Sequence, residues 1–283
     1  MKDSSSRGAL ENAPLGKFSL NPEKYNPELL FPISRSVNRA LLNLPNHTLP
    51  FVGVDIWNAY EISWLSTKGK PEIAIAQILV PADSKFIIES KSLKLYLNSL
   101  NNHRFVSQAE VKDTMTNDLS KATGSHISIQ LSSPDEWLKL KFEGFGGKNL
   151  DRLDIEIDPN DVPNPYWLNS DASHAPVEES LFSNLLKSNC PVTGQPDWAS
   201  IQINYVGAAI SEEGLLRYLI SFRNHQEFHE HCVEKIFCDI KKHCQPIKLS
   251  VYARYTRRGG LDINPYRADF NAPWPSNFRQ ARQ

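Results

Sequence analysis

Cys190 stands seven residues ahead of Asp197 in the stretch SNCPVTGQPDW, and a thiol and a carboxylate so spaced are the parts of a nucleophilic site. A thiol attacks only as thiolate, so a catalytic cysteine needs a neighbour to manage its proton. Pro191, Gly194 and Pro196 stiffen a turn that is expected to bring Asp197 back toward the sulfur. The plainer alternative is that Cys190 is one more small hydrophobe. Three further groups carry chemistry: Glu89 in ESKSLKLY, His229 and Glu230 in FHE, and the cationic, glycine-rich RRGG at 257–260.

The bulk composition narrows the setting for that chemistry. The 283 residues suffice for one large or two medium domains, and 40% apolar with 22% charged residues describe a globular chain. Lys plus Arg is 31 and Asp plus Glu is 32, so the basic excess of a nucleic-acid binder is missing. No apolar run approaches a membrane-spanning length, and the opening MKDSSSRGALENAP lacks the apolar core of a signal peptide. The four cysteines, Cys190, Cys232, Cys238 and Cys244, lack paired zinc-type spacing and suit a reducing cytoplasm better than a disulfide framework.

The elements that must position these groups read as a repeat. At an offset of 141, Trp57 falls on Trp198, Ile62 on Ile203 and Trp64 on Tyr205, in two stretches that alternate as half-buried strands do. PEIAIAQILVP (71–81) and GLLRYLISFRN (214–224) read as the next strands. A helix follows in each half, with Leu93, Tyr96, Leu97 and Leu100 matching Val233, Ile236, Phe237 and Ile240. HISIQL and RLDIEID close the first half as strands; KLSVYARYTRR and LDINPYR close the second. The predicted class is α+β, two tandem modules of antiparallel sheet with helices on one face. The boundaries read as 1–157, a polar Pro-rich linker at 158–179, and 180–283. On this alignment Glu89 and His229, with Glu230 beside it, occupy equivalent helix starts, and the two halves are expected to present Glu89 and Glu230 to one cleft.

ESKSLKLY, then NCPVTGQPDW, FHE and RRGGLDINPYR together resemble the 7-cyano-7-deazaguanine reductases in their long, two-module form, over roughly residues 45–270. The resemblance implies the tunnelling fold, a homodimer and NADPH-dependent reduction of a nitrile to an aminomethyl group, in tRNA queuosine biosynthesis. It implies that Cys190 adds to the nitrile carbon as a thioimide, that Asp197 handles protons and that His229 is a second proton partner. Substrate contacts fall to Ile88, Glu89, Ser90, Phe228, His229 and Glu230. The resemblance assigns cofactor contacts to Ser90, Lys91, Arg258 and Gly259, and Arg257 adds a second cation to that run. No G-x-G-x-x-G follows a strand, so the cofactor phosphates must be held by such cations and open backbone. Neither a bound metal nor a nucleic-acid partner is implied.

Two other readings stand beside this one. His225, His229, His231 and Cys232 suggest a zinc-dependent purine or pterin hydrolase on the same scaffold, although His229 and His231 point to different helix faces. A purine-binding module without catalysis is the third, and it leaves Cys190, Asp197 and His229 without a purpose. The terminal FNAPWPSNFRQARQ reads as an extended tail that packs by its aromatics.

Overall fold

The computed structural model describes residues 22–44 and 48–283, so the opening MKDSSSRGALENAP lies outside the described residues. The chain divides into two units. One is built on Asp55–Leu140 with Arg257–Asp262 and the described residues ahead of position 45; the other comprises Thr48–Val54, Lys141–Thr256 and Ile263–Gln283.

The first unit runs β1 (Pro32–Ser34), α1 (Arg35–Leu41), β2 (Val52–Leu65, in this unit from Asp55), β3 (Pro71–Pro81), β4 (Phe86–Ile88), α2 (Ser90–Ser99), α3 (Gln108–Thr123) and β5 (Ser128–Ser132). Its sheet has the order β5-β3-β2, and β1 pairs antiparallel with β4. β3 alternates, burying Ala74, Ala76, Ile78 and Val80, while α2 buries Leu93, Tyr96, Leu97 and Leu100, the stripe expected of it. A second helix was not foreseen. α3 is mostly polar but buries Val111, Met115 and Leu119, one residue per turn, and packs on β5. Ser107 caps its start by accepting from Glu110 N at 3.2 Å, and Gly124 ends it in the left-handed region at φ 65°.

The second unit runs β6 (Lys148–Asn149), β7 (Ser170–Asp171), β8 (Val177–Asn189), β9 (Pro196–Gly207), β10 (Ala209–Ile210), α4 (Glu212–Ile220), α5 (His229–His243), β11 (Lys248–Tyr255) and β12 (Leu261–Ala268, here from Ile263). Its sheet order is β12-β11-β9-β8-β6, antiparallel except for the β6–β8 edge. α5 packs on β11 and α4 on β8. The fully buried Val233, Ile236, Phe237 and Ile240 fasten α5, at about 1.5–3 kcal/mol for each large apolar side chain. The expected α+β class is present in both units.

Two strand expectations are corrected. GLLRYLISFRN is the helix α4 followed by a 3-10 turn at Ser221–Asn224. Ser211 caps it through Gly214 N, Glu212 and Glu213 fill its first turn, and Leu215, Tyr218, Leu219 and Phe222 recur at helical spacing. RLDIEID forms no strand; its neighbour Asp151 instead takes hydrogen bonds from Ser183 Oγ (2.6 Å), Asn184 N (3.0 Å) and Asn184 Nδ2 (2.8 Å). Those donors sit in a bulge of β8, where the register with β9 slips between Ser183 and Leu186. The stretch 158–179 is largely irregular, with β8 beginning at its last three residues.

The added helices also shift the internal repeat. The order in both halves is strand, strand, helix, helix, strand, and α2 matches α4 at an offset of 122. Leu93 falls on Leu215, Tyr96 on Tyr218, Leu97 on Leu219 and Ser99 on Ser221. The contacts repeat too: Tyr96 OH donates to Asp118 at 2.6 Å and Tyr218 OH to Asp239 at 2.5 Å. Glu89 therefore corresponds to Ser211, both helix caps, and His229 to Gln108. The offset of 140–141 set the first helix of one half on the second helix of the other.

Candidate active site

Cys190 lies at the tip of the β8–β9 hairpin. Its N–H donates to Gln195 O at 2.8 Å and its carbonyl accepts from Gly194 N at 2.9 Å, with Gly194 at φ 68°, a conformation that favours glycine. Ser188 pairs directly with Asp197, and Leu186 with Ala199. Side chains on a strand alternate, so Leu186, Ser188 and Cys190 share the inner face with Asp197 and Ala199. All five are buried, Cys190 to 3% exposure and Asp197 to 7%. The hairpin thus folds the carboxylate back beside the thiol-bearing strand, as the turn residues predict. The first unit repeats the motif between β2 and β3: Ser66 N donates to Lys70 O at 2.8 Å, Gly69 N to Ser66 O at 2.9 Å, and Gly69 has φ 82°.

The start of α5 supplies the next groups. Residues before it are stitched to the hairpin, Asn189 N donating to His225 O at 2.8 Å and Glu227 N to Asn189 O at 3.0 Å. This pairing delivers Phe228 at the helix N-cap and His229 at its first position. His229 Nε2 stands 3.6 Å from Asp197 Oδ2. Its other neighbour is Tyr255, whose ring centroid is 4.0 Å from that of the imidazole. Tyr255 pairs with Ala199 across β9 and so belongs to the same inner face. Burial pushes its phenol well above the ordinary range, and the hydroxyl lies beside Cys232 and Ser188. Glu230 is buried in the first turn of α5, where a helix N-terminus favours a carboxylate.

His225 and His231 face a different acid. His231 Nδ1 lies 2.7 Å and His225 Nε2 3.8 Å from Glu227 Oε2. Burial pushes the Glu227 carboxyl up, yet its contacts with His225 and His231 outweigh that and hold it down at about 2. With His229 turned to Asp197 instead, these donors do not converge, and no group of three suitable residues for a metal ion occurs among the described residues. Burial pushes the Cys232 and Cys238 thiols up to about 12 and Cys244 up to about 11, so these three stay protonated.

In the first unit Ile88 ends β4 and pairs with Pro32, and Glu89 next to it caps α2. Glu89 Oε1 accepts from Lys91 N at 2.7 Å, and Oε2 from Ser92 N at 2.9 Å. Ser90 Oγ also donates to Oε1, at 3.5 Å, while Oε2 has room for a second donor, and the side chain is 1% exposed. Ser90 and Lys91 are half-buried on the first turn. RRGG is the tip of a hairpin closed by Arg258 N to Leu261 O at 2.8 Å, with Gly259 and Gly260 at φ 61° and 80°. Arg257 is exposed over the Tyr60 ring at 4.9 Å. A side-chain carbon built on Gly259 would stand 3.0 Å from Lys94 Cε and 3.1 Å from its Nζ, so an ammonium lies against the glycine. Lys94 was not singled out from the sequence, although its i+3 spacing from Lys91 places both on one helix face. Cations around a side-chain-free backbone make a donor set suited to phosphate oxygens.

Comparison with known proteins agrees with this inventory. Residues 21–131 match the family described as "Nitrile reductase, 7-cyano-7-deazaguanine-reductase N-term", and residues 196–273 match that of the "QueF-like protein". A protein of Paraburkholderia phymatum is 58% identical over 273 residues, and one of Cupriavidus pinatubonensis 56% identical over 274. One from Ralstonia nicotianae is 54% identical over 274. Each alignment covers 96% of this chain and 99% of the relative, and all three relatives carry the name NADPH-dependent 7-cyano-7-deazaguanine reductase.

Proposed function

The chain belongs to the NADPH-dependent 7-cyano-7-deazaguanine reductases, and from that membership we propose how its residues divide the work. The activity is reduction of a nitrile in queuosine biosynthesis, converting 7-cyano-7-deazaguanine to its aminomethyl counterpart with two equivalents of NADPH. NADPH supplies two hydrides to what was the nitrile carbon.

Cys190 opens the reaction. Its sulfur bonds to the nitrile carbon while the thiol proton passes by way of Asp197 to the nitrogen, leaving a thioimide whose C=N accepts hydride. Each reduction also delivers a proton to nitrogen, for which His229 and Asp197 stand 3.6 Å apart. Between the two reductions the carbon–sulfur bond breaks, and the sulfur regains a proton. Glu89 and Glu230 accept from the N–H edge of the deazaguanine, the backbone at Ile88 and Ser90 flanks it, and Phe228 offers a stacking face. Ser90, Lys91, Arg257, Arg258 and Gly259, joined by Lys94, take the cofactor phosphates. The observation that carries this reading is the hairpin that sets Cys190 and Asp197 on one buried face against His229.

Two tandem modules, a homodimer acting on the free base and a cytoplasmic setting complete the proposal. A net charge near zero and four unpaired cysteines support the last two points. No helix among the described residues is long and apolar enough to cross a membrane. The test is intact mass of the protein mixed with 7-cyano-7-deazaguanine and no NADPH. A single adduct is expected on the native chain and on variants lacking Cys232, Cys238 or Cys244, and none on Cys190→Ala. An adduct or sustained turnover in Cys190→Ala overturns the thioimide route.

A further inference from the structure

Tyr255, which backs the imidazole of His229, ends β11 at a place where the sheet opens. β11 and β12 pair only from Ser250 opposite Ala268 to Tyr252 opposite Tyr266. Beyond that point two side-chain amides take over the backbone groups that β12 would have met. Tyr255 N donates to Asn264 Oδ1 at 3.2 Å, and Gln283 Nε2 donates to Tyr255 O at 2.9 Å and to Asn264 Oδ1 at 2.8 Å. Gln283 Oε1 accepts from Arg254 Nε at 2.7 Å and from Gln280 N at 3.2 Å. A primary amide has two donors and two acceptor lone pairs, so the capacity of this one is filled. Gln283 is 7% exposed, Arg254 2% and Asn264 0%, which makes each of these bonds costly to break. The neighbouring Arg282 donates to Asn184 O at 3.0 Å and Ser200 Oγ at 2.9 Å, tying the same segment to the bulge in β8.

We propose that Gln283 is a positioning residue for the nitrile reduction: its side-chain amide holds Tyr255 in place, and the Tyr255 ring fixes the His229 imidazole toward Asp197. What bears on the imidazole is the body of the ring, whose centroid stands 4.0 Å from that of His229. Removing the amide loosens the β12-facing edge of β11, which keeps its pairing with β9, and lets the ring and the imidazole shift. Misplacement of a reacting group by about 1 Å costs up to about 10²-fold in rate. The inference rests on the assignment of His229 to proton transfer.

The test measures adduct formation without NADPH, steady-state turnover and its pH profile in four variants and one double variant. Gln283→Ala removes the amide. Gln283→Glu keeps the Arg254 partner and the packing volume but loses both donations, so it separates lost hydrogen bonds from lost bulk. Both are expected to lower kcat about tenfold or more, to leave KM for NADPH unchanged and to displace the pH limb that His229→Ala abolishes. Tyr255→Leu should match Gln283→Ala, and Gln283→Ala with Tyr255→Leu should be no slower than the slower single variant, because the two act in series. Native kcat and pH profile in both Gln283 variants, or losses that multiply in the double variant, overturn the inference. His229→Ala with native kinetics overturns the His229 assignment and this inference with it; slow His229→Ala beside silent Gln283 variants overturns the inference alone.

Discussion

Glu89 caps α2 and is proposed to hold the deazapurine ring, and melting and binding measured on two variants read the two roles apart. Its carboxylate accepts from two backbone N–H groups at the start of α2, at 2.7 and 2.9 Å, from a side chain 1% exposed. Gln at this position keeps one oxygen and turns an N–H₂ toward the other donor, so a buried N–H loses its acceptor. A hydrogen bond to a charged group is worth about 1.5–3 kcal/mol, and the loss of negative charge at a helix N-terminus adds about 0.3–1 kcal/mol. Glu89→Gln should therefore destabilise by about 2–4 kcal/mol and lower the melting temperature by about 4–16 °C. Ser serves the equivalent cap in the other half, where Ser211 Oγ accepts from Gly214 N at 3.2 Å. Glu89→Ser keeps one cap acceptor and so should melt no higher than a few degrees above Glu89→Gln, while binding the deazapurine at least about tenfold more weakly, having no carboxylate for the ring. Far-UV circular dichroism melts and titration calorimetry read the two effects separately. A native melting temperature in Glu89→Gln refutes the capping account, and native affinity in Glu89→Ser refutes the role in substrate recognition.

Three other outcomes are expected. Arg258→Ala should raise KM for NADPH with deazapurine affinity nearly intact; the reverse pattern moves the phosphate site away from RRGG. Asp197→Asn should bind substrate yet slow both adduct formation and reduction by about 10²–10⁴-fold, and adduct formation at the native rate removes Asp197 from proton handling. Glu227 is held at about 2 against an ordinary 4.5, so its stabilisation is fully present above pH 4.5 and is lost as pH falls toward 2. Denaturant melts across that window should show an acid-dependent loss of up to about 3 kcal/mol that Glu227→Gln flattens, and an unchanged slope in that variant refutes the clamp.

Much of this was legible in the sequence wherever one physical signal dominated. β3 is found over the residues its alternation marks, and the Leu93–Leu100 and Val233–Ile240 stripes are the buried faces of α2 and α5. β8 was lost because the bulge at Ser183–Leu186 breaks its period of two. α3 presents only three large apolar residues in four turns, though Ser107-x-x-Glu110 and Gly124 marked its ends. α4 was taken for a strand because LLRYLI is a short apolar run, for which period alone is a weak arbiter. Cys190 and Asp197 were legible because turn residues lie between them. Tyr255, Glu227 and Lys94 were not, since each acquires its place from a contact distant in sequence.

The paired hairpins give the chain a history that its chemistry does not require. Ser66 and Cys190 occupy the same station in the two turns, and Pro71 and Glu72 follow the first as Pro196 and Asp197 follow the second. One loop is a residue shorter and carries a hydroxyl, with Glu72 drawn to Lys70 at 3.1 Å; the other carries the thiol. Duplicated ancestry of this kind leaves a spare. The turn at 66–70 keeps the fold of the one at 190–195 without a thiol, so it is free of the constraint that the proposed nucleophile would place on it. A tandem gene can thus specialise its copies while neither has to invent a scaffold.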